Sequence, residues 1–257
     1  MASKAKSPPA WRPDDGAIAA IVEARHGDPF AVLGMHAHGS AVSVRVFWPG
    51  VDRVTVIDSQ TGDAVATLDR LHDEGFFAGK MGSRRKPFAY RLEVANADAT
   101  WLAEDPYRFP ALLGETDVSL LAEGTHRRIY EQLGAHPATL EGADGVAFSV
   151  WAPNAQRVSV VGDFNHWDGR RHPMRKRIEV GVWEIFIPGA TPGTNYKFEV
   201  LGADGRLQPL KADPFAFSQE KPPQTSSRVT GLPDHAWSDS DWMGARSDRQ
   251  ALNAPIS

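Results

Sequence analysis

The sequence has no cysteine. That excludes disulfides, iron–sulfur clusters, thiolate zinc sites and a cysteine nucleophile, and it fits a reducing, cytoplasmic setting. It has no apolar run near the ~20 residues of a membrane-spanning helix. The charged residues after Met1 are not followed by the apolar stretch of a secretory signal. It has no excess of positive charge: 28 Lys and Arg stand against 32 Asp and Glu, for a net charge of −4. No global field therefore favours nucleic acid or an anionic membrane. It also lacks a Gly-rich phosphate loop, a Gly-x-Ser-x-Gly elbow and a His-Glu-x-x-His pair. Its carboxylates lie mostly in turns, and none stands in a paired acid–base context. No catalytic, cofactor-binding or metal-binding residue is assigned.

What is present is an ordinary globular composition. Of 257 residues, 42% are hydrophobic and 23% charged, with 23 Gly and 19 Pro. That many turn formers favours short strands over long helices. Val42, Val44, Val46 and Trp48 alternate with polar or opposite-face positions, as do Tyr196, Phe198 and Val200. Such alternation builds a sheet with one core face and one solvated face.

The chain repeats itself. Val44–Pro49 resembles Phe148–Pro153, Val54–Ile57 resembles Val158–Val161, Tyr90–Val94 resembles Tyr196–Val200, and Asp105–Tyr107 resembles Asp213–Phe215. Trp48 and Trp151 stand 103 apart and Asp105 and Asp213 stand 108 apart, a drift that small loop insertions produce. The expected fold class is all-β, with two tandem immunoglobulin-like β-sandwich modules and a few short helices. The expected division is a disordered tail at 1–12, a first module at 13–125 with a leading helix capped by Asp14 or Asp15, a linker at 126–143, a second module at 144–231, and a further linker at 232–257.

Three segments stand out as sites. Val161–Gly169 carries Phe164, Asn165 and Trp167 on a tight turn after a strand. An indole on a turn offers a flat apolar face for a glucose ring, with Asn165 and Lys197 as polar partners. The same local sequence also allows Phe164 and Trp167 to plug the end of the sandwich. His26–His38 brings three His and Asp28 close together without a helical ligand pair, and it reads as a loop packing Phe30 and Leu33. Arg170–Arg177 is a basic cluster, which reads as a solvated loop rather than a phosphate-binding surface.

Phe148–Pro153, Val158–Trp167 and Tyr196–Val200 together resemble a family 48 carbohydrate-binding module. Across about residues 14–257 the chain is similar to the N-terminal part of bacterial glycogen (1,4-α-glucan) branching enzymes, through His26–His36, Asp105–Phe109, Leu121–His126 and Tyr130–Gly134. The resemblance implies an α-glucan partner (glycogen or a malto-oligosaccharide) contacted by Trp167 and Lys197. A second aromatic would be expected where Leu207 stands. It further implies a catalytic barrel as a partner. That barrel would cleave α-1,4 links with retention and transfer the chain to a 6-hydroxyl. Its catalytic carboxylates have no counterpart here, so this region alone is expected to be inactive. Other readings are a free-standing glycogen-sensing scaffold and the remnant of a truncated gene. No nucleic acid or membrane partner is implied.

Overall fold

Asp14 begins the first ordered element. Its side chain accepts the Ala17 amide at 2.8 Å, the N-cap geometry that starts α1 (Asp15–Val22). The computed structural model describes residues 11–231 and 236–251. Most of the tail expected at 1–12, and residues 232–235 and 252–257 of the last expected linker, lie outside them.

Eight strands follow α1: β1 (Gly34–His38), β2 (Ala41–Phe47), β3 (Arg53–Asp58), β4 (Ala64–Thr67), β5 (Asp69–His72), β6 (Phe76–Lys80), β7 (Tyr90–Ala95) and β8 (Thr100–Ala103). They form two antiparallel sheets in the orders β1-β2-β6-β5 and β4-β3-β7-β8. Val42, Val44 and Val46 meet Val54, Val56, Leu92 and Val94 between the sheets. The opposite face of β2 and β6 is not solvated, as simple alternation had implied. Ile18, Ile21 and Val22 of α1 cover Phe47, Phe76 and Ala78 there. Each such buried side chain contributes roughly 1.5–3 kcal/mol.

A second helix, α2 (Glu115–Ala122), precedes a second set: β9 (Gly134–Leu140), β10 (Ala143–Trp151), β11 (Arg157–Gly162), β12 (Arg175–Arg177), β13 (Val182–Pro188), β14 (Asn195–Leu201), β15 (Ser218–Gln219) and β16 (Ser227–Arg228). The sheets run β12-β13-β10-β9 and β11-β14-β16-β15. The first of these repeats the β1-β2-β6-β5 order of the first module.

The repeat therefore begins earlier than the sequence comparison placed it. α1 and α2 start at Asp15 and Glu115, β1 and β9 at Gly34 and Gly134. The linker expected at 126–143 contains β9, which pairs with β10 from Ala143↔Leu140 to Ser149↔Gly134. The second module takes in α2 and β9, and only a short segment around 109–114 separates the copies. That segment lies on the second sandwich: Phe109 stacks edge-on against Phe186 at 4.6 Å, and Glu184 accepts the Leu112 and Leu113 amides at 3.1 and 2.9 Å.

Local devices are duplicated too. The Tyr90 hydroxyl donates to Asp105 Oδ2 at 2.6 Å, and the Tyr196 hydroxyl donates to Asp213 Oδ2 at 2.6 Å. His36 Nε2 bonds Leu33 O at 2.9 Å and His136 Nε2 bonds Leu133 O at 3.0 Å. Gly34 and Gly134 both have positive φ and both sit against a backbone carbonyl, of Tyr107 and Phe215 respectively. The stretch expected to be an irregular linker after 231 includes α3 (Ser240–Arg249), whose described side chains are largely exposed.

Candidate functional site

In β11, Val158 and Val160 point into the core, which turns Arg157, Ser159 and Val161 outward. In β14, Tyr196, Phe198 and Val200 point inward, which turns Lys197 and Glu199 outward. The strand register places Val161 opposite Lys197 and Ser159 opposite Glu199. The candidate site comprises Lys197 on the outer face of β14 and the turn after β11, which folds back over Arg157, Ser159 and Val161 and leaves them buried.

Arg157 holds the turn down from within the sheet. Its guanidinium, 1% exposed, donates to Glu199 Oε1 at 2.7 Å, to Gly169 O at 3.2 Å and to Ser159 Oγ. Gly169 is required by close approach: a Cβ there would lie 2.0 Å from Glu199 Oε1. The other end of the turn is fixed by Asn165. Its Oδ1 accepts the Gly162 amide at 2.9 Å, while its Nδ2 donates to Val160 O and to His172 Nδ1, each at 2.9 Å. His172 is thereby the tautomer with its proton on Nε2. Burial pushes its pKa down to about 3, so it is neutral.

Asn165 is only 1% exposed, with its amide spent inside the turn. The expectation that it contacts sugar is corrected: it shapes the turn and offers nothing outward. Phe164 packs toward the core against Phe148, with ring centroids 5.6 Å apart.

Trp167 is different. It is 36% exposed, and both it and His166 are left-handed, at φ 61° and 56°. For a bulky side chain that conformation is an outlier costing about 1–2 kcal/mol. Strain of this kind persists where surrounding contacts enforce it, and it clusters at functional sites. On β14, Lys197 donates from Nζ to Thr225 Oγ1 at 2.7 Å, across 28 residues of sequence. Leu207 follows on the hairpin after β14 and is 59% exposed. The corresponding turn of the first module has no aromatic group, and Asp58 caps it by accepting the Gln60 amide at 2.8 Å.

The arrangement offers an exposed indole on the turn after β11 and, on β14, an ammonium paired with a hydroxyl. It suits an extended ligand with flat apolar faces and peripheral hydroxyls. A cavity of about 650 Å³ lies elsewhere, between the modules, where Trp48, Leu102, Arg171 and His172 contribute to its walls.

Sequence reasoning missed Arg157, Glu199, Gly169 and Thr225. Arg157 and Glu199 occupy outward positions that read as solvated, and Thr225 shows no local signal. The basic cluster was also misread as a solvated loop. Arg170 meets Glu74 at 3.0 Å, and Arg171 donates to Pro49 O at 2.9 Å. Arg175 donates to Phe109 O at 3.2 Å and lies over the Phe30 ring at 3.8 Å, while Arg177 donates to Leu113 O at 2.6 Å. Arg170, Arg171 and Arg175 join the two modules, through Glu74, Pro49 and Phe30, while Arg177 holds the connecting segment to the second. Of the His26–His38 segment expected to be a loop, Gly34–His38 is strand β1, while Phe30 and Leu33 before it pack inward as expected. Among the described residues no group of His, Cys, Asp and Glu could hold a metal ion, and no helix is long and apolar enough to cross a membrane.

Comparison with known proteins gives two family matches. Residues 14–107 match "alpha-1,4-glucan branching enzyme GlgB, N-terminal domain", and residues 132–216 match "Carbohydrate-binding module 48 (Isoamylase N-terminal domain)". A 1,4-alpha-glucan branching enzyme GlgB of Cereibacter sphaeroides is 56% identical over 241 residues, covering 93% of this chain and 33% of that protein. One of Rhodospirillum rubrum is 50% identical over 246 residues, covering 94% and 33%. Among solved structures, the maltotriose complex of PulA from Klebsiella pneumoniae has 19% identity and a TM-score of 0.32, covering 84% of this chain and 26% of that one. The chain spans about a third of the length of the curated relatives it matches. With an N-terminal domain of one kind followed by a module of the other, in that order and at such identity, the chain belongs to the GlgB branching enzyme family as its N-terminal region, which includes a family 48 carbohydrate-binding module.

Proposed function

We propose that this chain holds α-glucan for a 1,4-α-glucan branching reaction through the turn after β11 and the outer face of β14. Trp167 stacks on a glucose ring, and Lys197 with Thr225 binds hydroxyls beside it. The observation that carries this reading is the strained, exposed Trp167: a left-handed aromatic on the surface is costly, and the core does not need it. Leu207, at the place where the family resemblance implies a second aromatic, makes the face one-sided and the binding weak, with a Kd in the millimolar to high-micromolar range.

Branching chemistry belongs in this reading to the two thirds of the relatives that this chain does not span, and the catalytic barrel there is its partner. Buried carboxylates on this chain have structural duties: Glu184 holds two backbone amides, and Asp105 and Asp213 hold tyrosine hydroxyls. The setting proposed is the cytoplasm, where glycogen is made.

Tryptophan fluorescence titration with maltoheptaose tests the site. Saturable binding by the parent chain and its marked weakening in Trp167→Ala and Lys197→Ala support it. Unchanged affinity in Trp167→Ala removes it. An iodine-staining assay on amylose tests the division of labour, since the chain alone should leave the spectrum unchanged with time.

A further inference from the structure

We infer that the first module is a positioning device for the sugar-binding turn of the second, acting through Tyr107, Glu74 and Pro49. This rests on the reading of Trp167 as the sugar contact.

The turn from Gly162 to Pro173 is held from both modules. Within its own sandwich, Asn165 ties its start to Gly162 and Val160, Arg157 ties its middle at Gly169 O, and its far end is tied where His172 O accepts the Val160 amide at 3.2 Å and Pro173 bridges to Ser159. Three separate parts of the first module add to this hold. Glu74, in the β5–β6 turn, accepts Arg170 Nη1 at 3.0 Å. Pro49 O, in the β2–β3 turn, accepts Arg171 Nη2 at 2.9 Å. The Tyr107 hydroxyl, past β8, donates to Pro173 O at 3.2 Å and lies 3.4 Å from Arg171 O.

Tyr107 is itself fixed on every side. Its amide donates to Asp105 Oδ1 at 2.9 Å, its ring meets Phe30 at 4.9 Å, and its carbonyl abuts Gly34, where a Cβ would lie 2.8 Å away. Arg170 transmits the Glu74 contact back toward Trp167, because its guanidinium also grips Asp168 at 2.9 and 3.0 Å. Asp168 directly follows the left-handed Trp167. A strained pair of residues keeps its conformation only while both flanks are anchored. Here the flank that follows Trp167 is anchored from both modules, so the docking of the first module adds to the hold that the indole's own sandwich supplies.

The consequence is that residues which touch no sugar control affinity for it. Tyr107→Phe keeps the ring packed and removes only the hydroxyl; Glu74→Gln removes only the charge. Both variants are compared with the parent chain and with Trp167→Ala at 25 °C, below unfolding. Two quantities are read: amide hydrogen exchange at Trp167, Asp168 and Arg171, and maltoheptaose affinity by calorimetry.

Tyr107→Phe should speed exchange at these amides and weaken affinity about five-fold, the usual worth of one hydrogen bond. In a Trp167→Ala background the same change should have no further effect on affinity, because the two sites are coupled. Unchanged exchange in the Tyr107→Phe, Glu74→Gln double variant overturns the positioning role. So do affinity losses from Tyr107→Phe and Trp167→Ala that simply multiply. Faster exchange in the double variant, with affinity indifferent to Trp167→Ala, upholds the anchoring and instead overturns the sugar contact at Trp167.

Discussion

Asn165 makes three hydrogen bonds at 2.9 Å from a side chain that water does not reach. Asn165→Ala would leave the Gly162 amide, the Val160 carbonyl and His172 Nδ1 without partners in a buried place. At about 1 kcal/mol for each, the cost is about 3 kcal/mol. For a module of about 120 residues that lowers the melting temperature by roughly 10–15 °C. The two sandwiches have separate cores, so scanning calorimetry should place the loss in the transition of the second module. It should leave the first nearly unmoved. Sugar binding should fall with it, since the same bonds set the turn that presents Trp167. Asn165→Asp is the sharper companion. Its carboxylate can still accept the Gly162 amide, but it faces the Val160 carbonyl and His172 Nδ1 with lone pairs against lone pairs. It should be destabilising at pH 7 and recover in part near pH 5, where the added negative charge favours a protonated His172. A melting temperature within 2 °C of the parent for Asn165→Ala would refute the claim that this side chain builds the turn.

Gly169→Ala should cost about 2 kcal/mol and weaken maltoheptaose binding, because the new methyl enters the space of the Glu199 carboxylate that Arg157 holds; urea denaturation and calorimetry measure the two effects. Tyr90→Phe and Tyr196→Phe should each cost about 1–3 kcal/mol, in the transition of their own module, because each strips a 2.6 Å hydrogen bond from a buried carboxylate. His172, with a folded pKa near 3 against its ordinary 6.5, stays neutral where the unfolded chain takes up a proton. Its contribution is fully present above pH 6.5 and is lost as pH falls toward 3, at up to about 1.4 kcal/mol per pH unit. Asp105, pushed up to about 6 by burial, works the other way and destabilises as pH rises from 4 to 6. The test is therefore a difference: His172→Gln, which can still accept from Asn165, should flatten the fall of the second module's stability between pH 6.5 and 4 relative to the parent.

The order of elements was legible because it depends on short-range chemistry. The strand alternation and the Tyr and Asp-Pro positions repeat in the text of the sequence itself, and they gave two sandwiches in tandem; the Asp14 cap does not repeat, since Gly114 stands in its place before α2. The boundary between the copies was not legible. Helix α2 has no buried side chain, while in α1 Ile18, Ile21 and Val22 are buried, so the two helices share a position and little composition. Gly134 and His136 echo Gly34 and His36, but two residues in seven do not announce a strand.

The aromatic of the site could be named from the sequence, because a Trp on a Gly- and Asn-containing turn is a local pattern. Its partners could not. Asn165 looked like a ligand group because an amide on a turn is polar, and only tertiary packing shows that its hydrogen bonds are used up within five to seven residues of itself. Thr225 reaches Lys197 from the segment just before β16, which pairs with β14 in the same sheet. Arg170 and Arg171 look like solvent-exposed charge until Glu74 and Pro49 are brought to them from about a hundred residues away. The sequence by itself determined the fold class and the duplication, since each follows from spacing along the chain. The tertiary structure decided where the modules divide, which polar groups are spent inside the fold, that the Trp167 indole stands exposed rather than plugging the sandwich, and which groups of the first module meet the turn of the second. Those are questions of which backbone carbonyls and carboxylates meet across space, and sequence spacing carries no record of them.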